Sequence, residues 1–109
     1  MRPIPRRLLQ HSAVLVTQQS EDVWQMAQET FVPLAHVCVE PGERWVTDAQ
    51  NRKVQLSATL FFDCKVSVPH DVKFHAGEKI RWDGGTYTVE TAELLYVGKN
   101  PHHWEVGLS

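Results

Sequence analysis

The sequence predicts an all-β fold: a small antiparallel β-barrel or sandwich of six to seven strands with long loops. Three observations carry this. Apolar and polar residues alternate with a period of two over residues 54–64 and again over residues 102–108. Six glycines and six prolines punctuate the chain at intervals suited to turns. No segment sustains a helical apolar period. With 109 residues, residues 1–109 form a single β-barrel domain, with residues 1–10 as a basic extended arm.

The elements follow in order. A first strand is expected over residues 11–17. Residues 20–31 are ambiguous, because Ser20, Glu21 and Asp22 could cap a helix with Val23, Met26, Ala27 and Thr30 on one side. That segment is short and weakly apolar, so it reads as a long connection with at most a helical turn. A second strand spans residues 31–40 and ends at Pro41-Gly42. Trp45-Val46 then leads into a polar, glycine-free loop.

The clearest strand covers residues 54–64. Val54, Leu56, Ala58, Leu60 and Phe62 share one face, and Gln55, Ser57, Thr59, Phe61 and Asp63 the other. An irregular stretch over residues 65–77 holds Pro69, His70 and His75. Next comes a hairpin whose Gly84-Gly85 pair suits a primed turn, opposing Trp82 to Tyr87, Ile80 to Val89, Arg81 to Thr88 and Lys79 to Glu90. A last hairpin turns through Gly98 to Pro101. Leu56, Leu60, Phe62, Ile80, Trp82, Tyr87, Val89, Trp104 and Val106 are the expected core.

Charge narrows the function classes. The net charge is −2, but the first nineteen residues carry +3 from Arg2, Arg6 and Arg7 with no acid, leaving −5 on the rest. A net-negative body disfavours nucleic-acid grip, which needs clustered cations. The basic arm is either a docking segment for an acidic surface, lipid or phosphate, or a solvated terminus. Gln10, His11 and Ser12 interrupt the apolar run after Arg6-Arg7, so no signal peptide is expected. Cys38 and Cys64 lie in strand-like apolar segments and read as buried free thiols in a reducing cytoplasm.

Catalytic signals are weak. His102 and His103 are adjacent, and a regular strand would point them to opposite faces. His70 and His75 have no companion at metal-ligand spacing. No nucleophile-elbow, zincin or phosphate-cradling motif is present. No catalytic residue, cofactor or metal is therefore expected. Trp24, Trp45, Trp82 and Trp104 could form a stacking platform for single-stranded nucleic acid. A small nucleic-acid-binding β-barrel is thus the alternative reading, although Trp82 and Trp104 fall on core faces.

The start from Met1 to Leu9, the Val39-Glu40-Pro41 step and residues 54–63 together resemble minor capsid proteins of tailed phages and prophages of Gram-positive bacteria. Gly77-Glu78-Lys79-Ile80, the Gly-Gly-Thr-Tyr-Thr-Val hairpin and the ending from His102 to Leu108 extend the resemblance, with residues 20–31 least alike. The family is similar to head-closure, or stopper, proteins. The resemblance implies a non-enzymatic virion protein at the head–tail neck, assembled in the host cytoplasm as a six- or twelve-fold ring. Its implied partners are a portal–adaptor protein on the head side and a tail-completion or tail terminator protein on the other. Double-stranded genomic DNA would pass through without sequence-specific binding, and no membrane is involved.

Two sites follow as expectations. Arg2, Pro3, Pro5, Arg6 and Arg7 form a partner-docking arm, extended by its prolines. Thr47, Asp48, Gln50, Asn51, Arg52 and Lys53 form the candidate channel loop, mobile at its tip, with Asp48 pairing to Arg52 and Lys53 of adjacent subunits. Residues 65–77 are the alternative gate, but their apolar content suits packing against the body.

Overall fold

A computed structural model describes residues 6–19, 28–48 and 50–109; the side chains of Arg6, Gln18, Gln19 and Gln28 also lie outside it. A short 3-10 turn, Arg6–Leu8, precedes six strands: β1 His11–Gln19, β2 Gln28–Thr47, β3 Lys53–Asp63, β4 Lys79–Trp82, β5 Gly85–Val97 and β6 Asn100–Leu108. All neighbours are antiparallel, and the strands close in the order β1-β2-β3-β6-β5-β4. Closure leaves the barrel wall without a free edge.

The interior is filled by side chains, as a six-stranded barrel requires. Leu15, Leu34, Val37, Val39, Leu60, Phe62, Ile80, Val89, Val106 and Leu108 are buried in one cluster. The alternation expected for β3 holds on its apolar face, where Leu56, Ala58, Leu60 and Phe62 are buried; on the other face Gln55 and Ser57 are exposed but Thr59 is buried. Trp82, Tyr87 and Trp104 are half-buried and pack against the cluster from its margin. Residues 64–78 pack against the body as well. Phe74 is buried there, and Val68 bridges to Ala35 of β2.

Asp63 departs from its expected outward position. It is fully buried, and its Oδ1 accepts the Lys65 and Val66 amides, while its own amide donates to Ser67 Oγ. It ends β3 by capping the turn that follows.

Three boundaries differ from the sequence expectation. β2 does not stop at Pro41-Gly42 but runs on to Thr47, with a register shift against β3 between Pro41 and Arg44. A bulge absorbs the extra residue, and a proline lacking its N–H is tolerated at such a place. The β4–β5 turn is Asp83-Gly84, both at positive φ (50° and 79°), so Trp82 opposes Gly85, Ile80 opposes Tyr87 and Lys79 opposes Thr88. Asp-Gly supplies the two left-handed positions that this turn demands, and Gly85 joins the strand. The shift is two residues, so each side chain keeps its expected face; Lys79 Nζ bonds Thr88 Oγ1 at 2.9 Å instead of pairing with Glu90. At the start, Arg6–Leu8 form the 3-10 turn and Leu9 is buried, so the basic arm does not run extended through residue 10.

Candidate functional site

The long β2 creates the feature that distinguishes the molecule. β1 pairs with β2 only as far as His11 opposite Val37. β6 pairs with β3 only from Ala58 to Asp63. β2 and β3 nevertheless stay paired to Thr47 opposite Lys53. Beyond the barrel wall the two strands therefore continue as a two-stranded ribbon, in a molecule of 47 × 33 × 30 Å. Leu56, buried at its base, anchors the ribbon to the body.

The ribbon presents Trp45 outward. This side chain is 65% exposed, the highest value among the exposed large hydrophobic residues Leu8, Phe31, Trp45 and Tyr96. Trp45, Val46, Thr47 and Lys53 line a shallow groove of about 450 Å³. Glu40, Glu43 and Arg44 are exposed along the same strand. An exposed indole on a two-stranded support suits docking, because tryptophan contributes large contact area at low entropic cost.

At the tip, Asp48, Gln50, Asn51 and Arg52 form a compact turn. The Asp48 carboxylate accepts the amides of Gln50 at 3.0 Å and Arg52 at 2.8 Å. Its other oxygen meets Arg52 Nε at 3.2 Å. Backbone bonds between Asp48 and Arg52 and from Asn51 to Asp48 close the turn, with Asn51 at φ 64°. These bonds, the Arg52 amide first and then the Arg52 charge, hold the Asp48 carboxyl below its ordinary range. Within the chain the Asp48 carboxylate is thus paired with Arg52. The expected loose tip is a hydrogen-bonded turn, because an aspartate at this position captures the backbone locally. Lys53 and Thr47 are its last paired residues, both exposed.

Of the expected docking arm, Arg2, Pro3 and Pro5 lie outside the described residues. Arg6 and Arg7 stand in the 3-10 turn, where Arg7 is exposed. Trp24 also lies outside. Trp82 makes an edge contact with His11, and Trp104 with Phe74. Trp45 alone among the described tryptophans is exposed.

The histidine expectation is corrected too. His102 and His103 do not diverge: their Nδ1 atoms lie 2.7 Å apart. The β5–β6 register shifts between Leu95 and Tyr96, which face His103 and Pro101, so His102 is the extra residue of a bulge. A bulge turns consecutive side chains toward the same side. His103 Nε2 lies 3.8 Å from Glu105. Among the described residues no three His, Cys, Asp or Glu side chains gather as metal ligands would. Cys38 and Cys64 are free, partly buried thiols, and burial pushes both above the ordinary cysteine value, helped by Glu40 and Asp63 respectively.

Sequence reading missed the ribbon because Pro41-Gly42 resembles a strand terminator. The signal that could have revealed it was the apolar pair Val46 and Val54 flanking the polar loop, which face each other across the hairpin.

The described residues thus form a closed barrel from which a two-stranded ribbon projects, carrying the exposed Trp45. The sequence matches the Minor capsid protein family over residues 5–108, and the chain belongs to that family. It is accordingly a structural, virion-associated protein. A solved structure similar to it is the phage-like element PBSX protein xkdH from Bacillus subtilis, 15% identical, with 90% of each chain covered and a TM-score of 0.47. No curated protein matches the sequence.

Proposed function

We propose that this chain is a subunit of the phage head–tail connector, and within it of the head-closure ring that joins portal and adaptor to the tail and retains packaged DNA. The projecting β2–β3 ribbon with exposed Trp45 supports this reading most directly. A subunit whose barrel has closed its own edges must meet its neighbours through side-chain surfaces or through elements that leave the barrel. The ribbon is such an element, and a heterologous contact made through it closes a ring when the rotation permits.

In that ring, six- or twelve-fold, the portal–adaptor protein lies on the head side and a tail-completion or tail terminator protein on the other. DNA passes the channel without base-specific contact, consistent with a body that carries −5 beyond its first nineteen residues. The ribbon tip, from Thr47 through Asp48, Gln50, Asn51 and Arg52 to Lys53, is the element that reaches the channel. The Asp48–Arg52 pair rigidifies that tip, so opening swings the ribbon as a unit instead of unravelling a loop.

Reconstruction of tail-less heads tests the assignment, with a closed ring of this chain beneath the portal expected. A single copy per particle, or copies scattered over the shell, would overturn it. Replacing residues 48–52 by a Gly-Ser linker tests the gate: ring assembly should persist while packaged DNA leaks. Undiminished retention would remove the tip from that role.

A further inference from the structure

β2 carries an irregularity away from the ribbon tip. Between the pairs His11–Val37 and Ala13–Leu34, β1 advances two residues and β2 three, so β2 holds a bulge. His36 sits in it at φ 57°, in the left-handed region that side chains disfavour and glycine adopts freely. Ala35 exchanges both backbone bonds with Val68, at 3.0 and 3.1 Å. The buried Ser67 hydroxyl donates to the His36 carbonyl and accepts the Asp63 amide at 2.9 Å. On the other side of His36, Val37 pairs with Phe62. The bulge is thus fixed from both sides, and it meets the segment that returns from β3. Between them lies an open pocket of about 400 Å³, lined by His36, Lys65, Val66, Val68 and His70.

We propose that this pocket is an oxyanion site that takes a phosphate group, held by the Lys65 ammonium and by imidazole N–H groups of His36 and His70. The site goes beyond the ring reading and does not depend on it. The lining decides the sign of the ligand's charge. Lys65 repels a cation, and two imidazoles without a further ligand fall short of a metal's coordination. No acid stands among the described lining residues. The neighbouring Asp63 is fully buried, and its Oδ1 is taken by the Lys65 and Val66 amides. Asp71 is exposed beside His70 in the chain but does not line the pocket.

The donor set selects phosphate over carboxylate. Three donor side chains around one concavity suit a group with three outward acceptor oxygens, whereas a carboxylate offers two. Lysine supplies the fixed charge for such a group, and the histidines add direction. Each imidazole has two ring nitrogens, so a bond from the protein to one leaves the other for the ligand.

The backbone at His36 is the second observation. A bulge that only shaped the strand is met most easily by glycine at its left-handed position. The imidazole is what histidine adds there despite the unfavoured φ, and residues held in this way by over-determined surroundings cluster at binding sites. Ser67, Val68 and Val37 supply those surroundings. His70, whose spacing along the chain fits no metal motif, joins His36 only because the segment after β3 folds back onto β2.

The test titrates the full-length protein with inorganic phosphate at constant ionic strength, with chloride and acetate as controls, and follows amide and imidazole resonances. Saturable shifts at residues 36 and 65–70 are expected with phosphate alone. His36→Gly is the decisive variant, because glycine keeps the bulge and removes only the imidazole. It should weaken phosphate binding by about tenfold, the worth of one hydrogen bond to a charged group, without lowering the thermal midpoint. Lys65→Met, at an exposed position, should weaken it similarly, whereas His75→Ala outside the pocket should leave it unchanged. A short DNA duplex distinguishes the sources of phosphate. Shifts at the same residues that phosphate displaces assign a backbone phosphate, silence toward duplex assigns a free one, and either upholds the site. Equal shifts with chloride or acetate, or undiminished phosphate affinity in both His36→Gly and Lys65→Met, would overturn the inference.

Discussion

Phe74 sets its ring edge-on against Phe62, with 5.5 Å between centroids, although the two belong to different layers of the molecule. Phe62 is a β3 residue at the barrel's centre; Phe74 comes from the irregular segment between β3 and β4. The same Phe74 ring meets Trp104 at 5.4 Å. A segment without regular structure is thereby fixed to the barrel through one aromatic anchor.

Phe74→Ala should therefore destabilise the domain by about 3–5 kcal/mol, the range for a buried aromatic truncated to alanine. Small domains hold only about 5–15 kcal/mol in total. Urea unfolding followed by tryptophan fluorescence measures the loss. A change under about 1 kcal/mol would show that residues 64–78 merely rest on the barrel.

Gly107 marks a close approach in the wall. It sits on β6 opposite Thr59 of β3 and Thr91 of β5, and an added Cβ would lie 2.5 Å from Thr91 Oγ1 and 2.7 Å from a Leu56 methyl. Leu56 is fully buried and has little room to yield. Gly107→Ala should cost about 1–3 kcal/mol by overpacking. Gly107→Ala combined with Leu56→Val should recover part of that loss in thermal melts, because one of the two clashes is with the Leu56 side chain.

The barrel's strands were legible where one face is buried and the other wet. Val54 to Phe62 shows this on the apolar face, where Leu56, Ala58, Leu60 and Phe62 are all buried, whereas Thr59 on the other face is covered as well. The ribbon was not, because Pro41-Gly42 carries the same local signal whether it ends a strand or bulges one. Only pairing with residues 56–58 of β3, a non-local fact, distinguishes the two. Asp63 and the His102-His103 pair failed for a related reason. Each sits where regular alternation breaks, at a strand end or a bulge, and periodicity carries no information there. The connection between β2 and β3 falls within the polar stretch expected between two strands, but its internal bonding depends on backbone direction at Asp48, which composition does not encode.

Thiol chemistry follows from burial. Cys38 and Cys64 both have their ionisation pushed upward, first by desolvation and then by the nearby Glu40 and Asp63 carboxylates. The thiolate is the nucleophile, so a raised value leaves less of it at neutral pH. Alkylation of the native protein at pH 7.5 should run well below the rate of the urea-unfolded chain. The native rate should keep rising past the pH at which the unfolded chain has levelled. Equal rates in the two states would refute the assigned environment.

The Asp48 turn gives the opposite sign. Its carboxyl is held below the ordinary aspartate value by the Arg52 amide and charge and by the Gln50 amide. The folded value lies below the unfolded one, so the stabilisation is present above the unfolded value and disappears as pH falls through the folded one. The Gln50 and Arg52 amide resonances should therefore titrate together, with a midpoint below that of an unstructured aspartate. Asp48→Asn should abolish this titration while leaving the core resonances unchanged. A midpoint at the ordinary value would mean that the turn does not hold the carboxylate.

Trp45 separates folding from assembly. Its indole is largely in water, so Trp45→Ala removes little buried surface, and stability should change by no more than about 0.5 kcal/mol. If the ribbon is the docking element, the same truncation removes the kind of side chain that dominates interface energetics, where loss of an aromatic anchor costs about 2 kcal/mol or more. That corresponds to roughly a thirtyfold weaker contact. The expected result is an unchanged urea midpoint together with heads that fail to accept this subunit or, once fitted with it, fail to join tails. Trp82→Ala is the contrasting variant, because Trp82 packs against the core and its loss should lower stability first. Normal tail joining with Trp45→Ala at unchanged stability would show that the ribbon's outer face is simply solvated, and that docking uses another surface of the barrel.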